Sequence, residues 1–218
     1  MKKTTILTAM LLGTIAGHHV SAAPSSNIVW DSATRNLVAS GDAEKGKTLA
    51  VTCAGCHGAE GVSPNPAFPS LAGQVDRYIF KQLKDYKDGT RTGMMMGMVA
   101  PLSEQDMADL SAFYAGMSPP PAAEGSTDNE VATKLVKRGD GARFMAPCES
   151  CHGRHGEGKI VDIPALAGQK EAYFTSTMQA YKSKQRGNDI YSRMRLISGA
   201  LTDDEIKALA SHYAAMGE

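Results

Sequence analysis

Aromatic residues are scarce in this sequence, at 6% of 218 positions with a single Trp. Cysteine is rarer still: four residues are too few to scaffold a fold by disulfides. Neither charge sign is in excess, since 23 basic side chains face 23 acidic ones. That balance excludes a general nucleic-acid binder, which would carry a basic surplus. The one apolar run, Ile6 to Gly17, is too short and interrupted to read as a membrane span. No stretch alternates as a half-buried strand would. What is present, 42% apolar and 21% charged, is the mix of a folded globular chain of one or two domains.

The first 22 residues read as a secretory signal peptide. Lys2 and Lys3 form its positive end, the apolar run follows, and Val20-Ser21-Ala22 offers small residues for cleavage. The cut is expected after Ala22, because a cut after Ala23 would put Pro24 on the scissile bond. The alternative is an uncleaved N-terminal anchor. Export to the periplasm is the expectation.

The rest of the chain is written twice. Cys53-Ala-Gly-Cys56-His57-Gly58 recurs 95 residues later as Cys148-Glu-Ser-Cys151-His152-Gly153. Gly46 matches Gly141 at the same offset, and Pro69-Ser-Leu71-Ala-Gly-Gln74 matches Pro164-Ala-Leu166-Ala-Gly-Gln169. Tyr78, Tyr86 and Arg91 map onto Tyr173, Tyr181 and Arg186. The offset then becomes 99, so the second copy holds four extra residues near Gly187 to Ser192. Met95 now matches Met194, and Leu110, Tyr114 and Met117 match Leu209, Tyr213 and Met216. The expected organisation is a signal peptide (1–22), an N-terminal extension (23–40), a first domain (41–117), a Pro-rich linker (118–130) and a second domain (131–218).

Each half is expected to be helical. A short helix, Ala43 to Val51 or Thr133 to Met145, precedes each Cys-x-x-Cys-His. A helix with apolar residues at helical spacing follows, from Val75 to Tyr86 and from Tyr173 to Tyr181. The last helix of each half opens on a cap and an acidic first turn, at Ser103 and Thr202. The fold class is all-α.

Cys-x-x-Cys alone suits zinc, a redox disulfide or haem, and the adjacent His narrows the choice. In a c-type site two thiols add across the porphyrin vinyl groups and the next imidazole meets the iron. Zinc would need further repeating Cys or His, and a thioredoxin-like site would need a βαβ context. Two covalently bound haem c groups, on Cys53, Cys56, Cys148 and Cys151 with His57 and His152 on iron, are therefore expected. Two large apolar cofactors would also account for a core with few aromatics.

Of the other histidines, His18 and His19 lie in the signal peptide. His155 reads as solvated and His212 as a partly exposed packing residue. The sixth ligand is then expected to be Met, which raises the reduction potential relative to a second His. The repeat selects Met194 and Met95, each seven residues before the Leu-Ser/Thr of the last helix, with Met96 and Met98 close competitors. Any Met could equally be core filler. Pro69 and Pro164 could offer carbonyls to the histidines or merely stiffen their loops. Arg91, Arg186, Tyr78 and Tyr173 could pair with haem propionates or be ordinary surface Arg and core Tyr. Gly46 and Gly141 are expected to let the first helix approach the last.

With these residues in hand, the chain resembles the dihaem cytochrome c4 family from about Gly41 to Met216. The likeness rests on both Cys-x-x-Cys-His-Gly motifs, the runs at 68–74 and 163–169, Lys81-Gln82-Leu83, and the segment from Asp109 to Tyr114. The resemblance implies a tandem pair of cytochrome c domains of the mitochondrial-like fold, related by pseudo-twofold symmetry. It also implies His/Met ligation in both, Pro69 and Pro164 as carbonyl partners, and Leu71 and Leu166 packed on haem. The expected partners are redox proteins such as a membrane quinol-oxidising complex and a haem-copper oxidase, with no nucleic acid and with peripheral membrane association allowed for. Residues 27–40 precede the usual start of the family, and Trp30 there could pack on a partner or on the first domain. Ile190 to Arg193 also depart from the pattern, and Arg193 and Arg195 would raise the haem's potential if close to the iron, or else are simply exposed.

The leading functional expectation is an electron relay towards a terminal oxidase that performs no bond chemistry itself. One alternative is a cytochrome subunit or electron acceptor of a sulfide or thiosulfate dehydrogenase. Another is a haem enzyme with one open iron site, which would want nearby acid–base groups.

Overall fold

The computed structural model describes residues 25–159 and 161–217; the expected signal peptide, its cleavage point and the alternative anchor lie outside them. The described residues are helical and contain no strand, only two isolated bridges, Asp140 with Met145 and Lys159 with Ile163. None of their helices is long and apolar enough to cross a membrane.

The first half comprises α1 (Ser32–Ala39), α2 (Ala43–Leu49), α3 (Ala54–His57), α4 (Asp76–Lys87), α5 (Met95–Val99) and α6 (Glu104–Ala115). The second comprises α7 (Glu130–Lys137), α8 (Cys148–His152), α9 (Glu171–Lys182), α10 (Arg193–Ala200) and α11 (Asp203–Ala214). Side chains start these helices where the sequence places them. The Asp42 carboxylate accepts from the Glu44 and Lys45 amides, and reciprocal capping boxes open α6 at Ser103/Asp106 and α11 at Thr202/Glu205.

Five helices lie outside the sequence expectation: the one-turn α3 and α8 at the Cys-x-x-Cys-His motifs, and the longer α1, α5 and α10. Of these, α5 and α10 carry the methionine segments. The expected helix from Thr133 to Met145 is also shorter. It ends at Lys137 because Gly139 turns left-handed at φ +67°, where a Cβ would stand 2.2 Å from the Met145 carbonyl oxygen. A 3-10 turn, Gly141–Arg143, then leads to Phe144, itself left-handed.

Gly46 does the job expected of it, since a Cβ there would lie 2.1 Å from the Asp109 carbonyl oxygen on α6. Gly141 does not: it sits in the 3-10 turn with open space around its Cβ direction. On α7 the small residue buried against the last helix's apolar face is Ala132.

The second half has one core, in which Leu135, Val136, Phe174, Met178, Ile206, Leu209 and Tyr213 meet. The first half has two adjoining cores. Ala50, Ile79, Leu110 and Tyr114 form one, with Leu71 and Met117 beside it. Val38, Phe80, Met107 and Ala108 form the other, covered by Ile28, Trp30 and Leu37. Trp30 therefore packs on the first domain, with its ring 6.4 Å from that of Phe80.

The halves meet through reciprocal hydrogen bonds. Gln74 donates to the Ala165 carbonyl at 3.0 Å and accepts from the Ala165 amide at 2.8 Å. Gln169 donates to the Ser70 carbonyl at 3.0 Å and accepts from its amide at 2.9 Å. Gln74 and Ser70 are the repeat equivalents of Gln169 and Ala165, so each contact is the other's image, as a twofold relation requires. The segment after α6 is irregular and runs along both halves. Its Ala123 amide bonds to the Ala214 carbonyl at 2.8 Å.

Candidate functional site

The turns α3 and α8 each place a His at their end and bury it, His57 at 6% and His152 at 8% exposure. The Nδ1–H of His57 donates to the Pro69 carbonyl, and that of His152 to the Pro164 carbonyl, both at 2.9 Å. Each bond fixes the tautomer and leaves Nε2, which makes no hydrogen bond, with its lone pair available. Burial holds both imidazoles below their usual pKa, against the raising effect of the Pro carbonyls. They are therefore neutral, the form that ligates a metal.

The four cysteines form no disulfide. Cys53 and Cys148 are half-buried beside the Leu110 and Leu209 cores, whereas Cys56 and Cys151 are exposed. Each motif thus offers one sulfur inside and one at the rim, the disposition needed to pin one edge of a flat apolar group. Leu71 and Leu166 are half-buried against the same cores. No group of three or more His, Cys, Asp or Glu among the described residues is arranged to hold a bare metal ion. Tyr114 and Tyr213, equivalents in the repeat, point buried hydroxyls towards Cys53 and Cys148 with no hydrogen-bond partner.

In the methionine segment at α5, Met94, Met96 and Met98 are exposed at 70%, 38% and 48%, whereas Met95 is half-buried. Met95 is the sheltered one of the four, and it stands at the position that matches Met194 in the repeat. Met194, on α10, packs against the second core.

Arg91 and Arg186 face each other's domains. Arg91 donates to Gln82 at 2.8 Å and to the Tyr173 hydroxyl at 3.4 Å, and stacks on the Tyr86 ring. Arg186, at 7% exposure, donates to Asn188, Gln82 and the Tyr78 hydroxyl and stacks on Tyr181. Neither pairs with a carboxylate among the described residues. A buried cation with only neutral partners calls for an anion. Burial alone would raise the Tyr173 phenol, yet the two guanidiniums outweigh it and bring the group down to about 7. Haem propionates carry the charge this field would accept, so the residues fit the cofactor.

Other sequence-derived residues are placed more plainly. His155 is exposed. His212 is not the partly exposed residue expected: it is buried at 4%, and its Nδ1–H donates to the Thr127 carbonyl at 3.0 Å. The linker lies over that face of α11 and seals it. Arg193 reaches Asp162 at 3.4 Å, and Arg195 pairs with Asp189 at 2.6 Å. Sequence reasoning did not give Gln74, Gln169, Lys81, Asp85 or Asn188 a role, although they build the contact between halves. The repeated Gln and the four extra residues around Asn188 were the available signals.

Two domains, each pairing exposed and half-buried cysteines with a carbonyl-anchored histidine on a one-turn helix, are the architecture of a c-type cytochrome. Accordingly, the Cytochrome c family profile matches residues 43–118 and 137–214. The chain is 38% identical over 180 residues to a cytochrome c4 of Pseudomonas aeruginosa, covering 80% of this chain and 88% of that one. It is 36% identical over 174 residues to a thiosulfate dehydrogenase electron acceptor of Stutzerimonas stutzeri, covering 78% and 81%. The crystal structure of reduced recombinant cytochrome c4 from Pseudomonas stutzeri superposes with a TM-score of 0.76 at 34% identity, covering 81% of this chain and all of that one. The chain belongs to the dihaem cytochrome c4 family. It is an electron-transfer cytochrome with two covalently bound haem c groups.

Proposed function

We propose that this protein is a periplasmic relay that takes electrons from respiratory donors, such as a quinol-oxidising complex, and passes them to a terminal oxidase. Cys53, Cys56, Cys148 and Cys151 hold the haems as thioethers, and His57 and His152 supply the proximal nitrogens. Met95 and Met194 would supply the sixth ligands, while Arg91 and Arg186 would balance the propionates. The haem contributes reversible one-electron chemistry. The chain orients the imidazoles and keeps water from them, and the Met95 and Met194 thioethers would complete the ligand sets. The observation that carries this reading is the matched pair of His–Pro bonds, 2.9 Å in both halves, each serving a domain that also holds a half-buried Met. Two firmly ligated irons suit transfer rather than substrate chemistry.

Visible spectra of the reduced protein with and without carbon monoxide test it. The expected result is no shift at either haem. Carbon monoxide bound readily at one of them would overturn the relay in favour of an enzyme with an open iron. A second reading concerns the donor alone: the likeness to a thiosulfate dehydrogenase electron acceptor supports a sulfur-oxidising donor. Rapid reduction by a thiosulfate dehydrogenase, with none by a quinol-oxidising complex, would favour it.

A further inference from the structure

The two halves differ where they meet. On α4, Lys81, Gln82 and Asp85 are buried at 2%, 9% and 0% exposure. The matching positions on α9 are Ser176, Thr177 and Ala180, so a charged pocket exists on one side only. The four-residue insertion that distinguishes the second copy delivers Asn188 into that pocket, at 1% exposure. Its side-chain amide donates to Asp85 Oδ2 at 2.7 Å and to Gln82 Oε1 at 2.9 Å. Its side-chain oxygen accepts from Arg186 Nε at 2.9 Å, and its backbone carbonyl accepts from Lys81 Nζ at 2.7 Å.

Asp85 completes the junction. It accepts from Lys81 at 2.5 Å, from the Ser26 hydroxyl of the N-terminal extension at 2.6 Å, and from the Thr90 hydroxyl at 3.1 Å. One buried carboxylate thus ties three segments of the chain, with donors on both oxygens. Such a network is stable only when complete, because an unpaired member in low dielectric loses water without replacement. The Gln74 and Gln169 bonds join side chains to backbone in matching loops. Asn188 instead inserts one domain's loop into the helical interior of the other.

Taking the electron-relay reading as its basis, we infer that Asn188 is a positioning residue that holds the two haem domains in one electron-exchange arrangement. The Lys81–Gln82–Asp85 pocket is its receptor. Electron exchange between two fixed cofactors falls steeply with their separation, so a loosened junction slows it.

The test uses the mature dihaem protein and Asn188→Ala, with Asn188→Ser as the milder change should the first fail to accumulate. Amide hydrogen exchange at Ser70 and Ala165 reports the interface, because both N–H groups are donated across it. Expected are a roughly tenfold or greater loss of protection at these two amides, with Leu110 and Leu209 unchanged. In half-reduced protein, electron equilibration between the haems slows by a similar factor while the Met-ligated spectrum persists. Unchanged protection at Ser70 and Ala165, or a loss shared equally by the core amides, would overturn the inference. So would an interhaem rate equal to that of the parent. The amide readout is independent of the physiological partners, so carbon monoxide binding would sink the relay reading without touching this result.

Discussion

Gln74 and Gln169 stand 95 residues apart in sequence and perform the same act in opposite directions: each grips both backbone groups of one residue in the other domain. The residues gripped, Ala165 and Ser70, are themselves equivalents. Both directly follow the prolines whose carbonyls hold His152 and His57. The clasp between domains and the anchoring of the histidines therefore share one stretch of backbone.

The two clasps are unequal in burial, and their loss is expected to differ. Ser70 is 2% exposed, whereas Ala165 is half-buried. Gln169→Ala leaves a buried N–H and C=O unpaired and should cost about 2–3 kcal/mol; Gln74→Ala should cost about 1–2 kcal/mol. Denaturant midpoints at constant m-value measure both.

Met194→Ala should remove the sulfur-to-iron absorption of one haem of the two and open that iron to carbon monoxide. Met95→Ala should do the same for the other haem. Met96→Leu and Met98→Leu should leave the spectrum intact, because these side chains are exposed. Retention of both sulfur bands in Met95→Ala would remove Met95 from the assignment.

Acid should release one identifiable contact in the second domain. The Arg143 fork donates to both Glu205 oxygens at 2.8 and 2.9 Å and brings the carboxyl from 4.5 to about 2, against a smaller opposing effect of burial. A group with a depressed folded pKa stabilises fully above its unfolded value, and this contribution vanishes as pH falls through the folded one. Stability should therefore decline between about 4.5 and about 2, and Glu205→Gln should flatten that part of the profile. Urea titrations at a series of pH values read the slope.

Trp30→Ala should destabilise the first domain by about 2–3 kcal/mol, since the ring is half-buried over Phe80 and Met107. Amide protection at Leu209 should stay at the parental level in this variant, because among the described residues none of the extension is packed on the second core.

Much of the haem chemistry was legible because its parts are neighbours in sequence. Cys-x-x-Cys-His is read within five positions, and the caps at Ser103 and Thr202 within four. The helix expected from Thr133 to Met145 failed for an equally local reason. Gly139 was available as a signal, but its left-handed turn is set by the close approach of Met145. Gly141 failed because repeat alignment transfers a residue type without its surroundings.

By itself the sequence determined the number of haems, the duplication, the all-helical class and the two His–Pro spacings, since each follows from short-range spacing, helical periodicity or an internal repeat. Tertiary structure alone decided which methionine of the 94–98 cluster is sheltered. It also decided that Arg186 is a buried cation with no carboxylate partner among the described residues, and that Lys81, Asp85 and Asn188 meet. The physical reason is burial: whether a polar side chain is solvated, paired or stranded depends on residues about a hundred positions away.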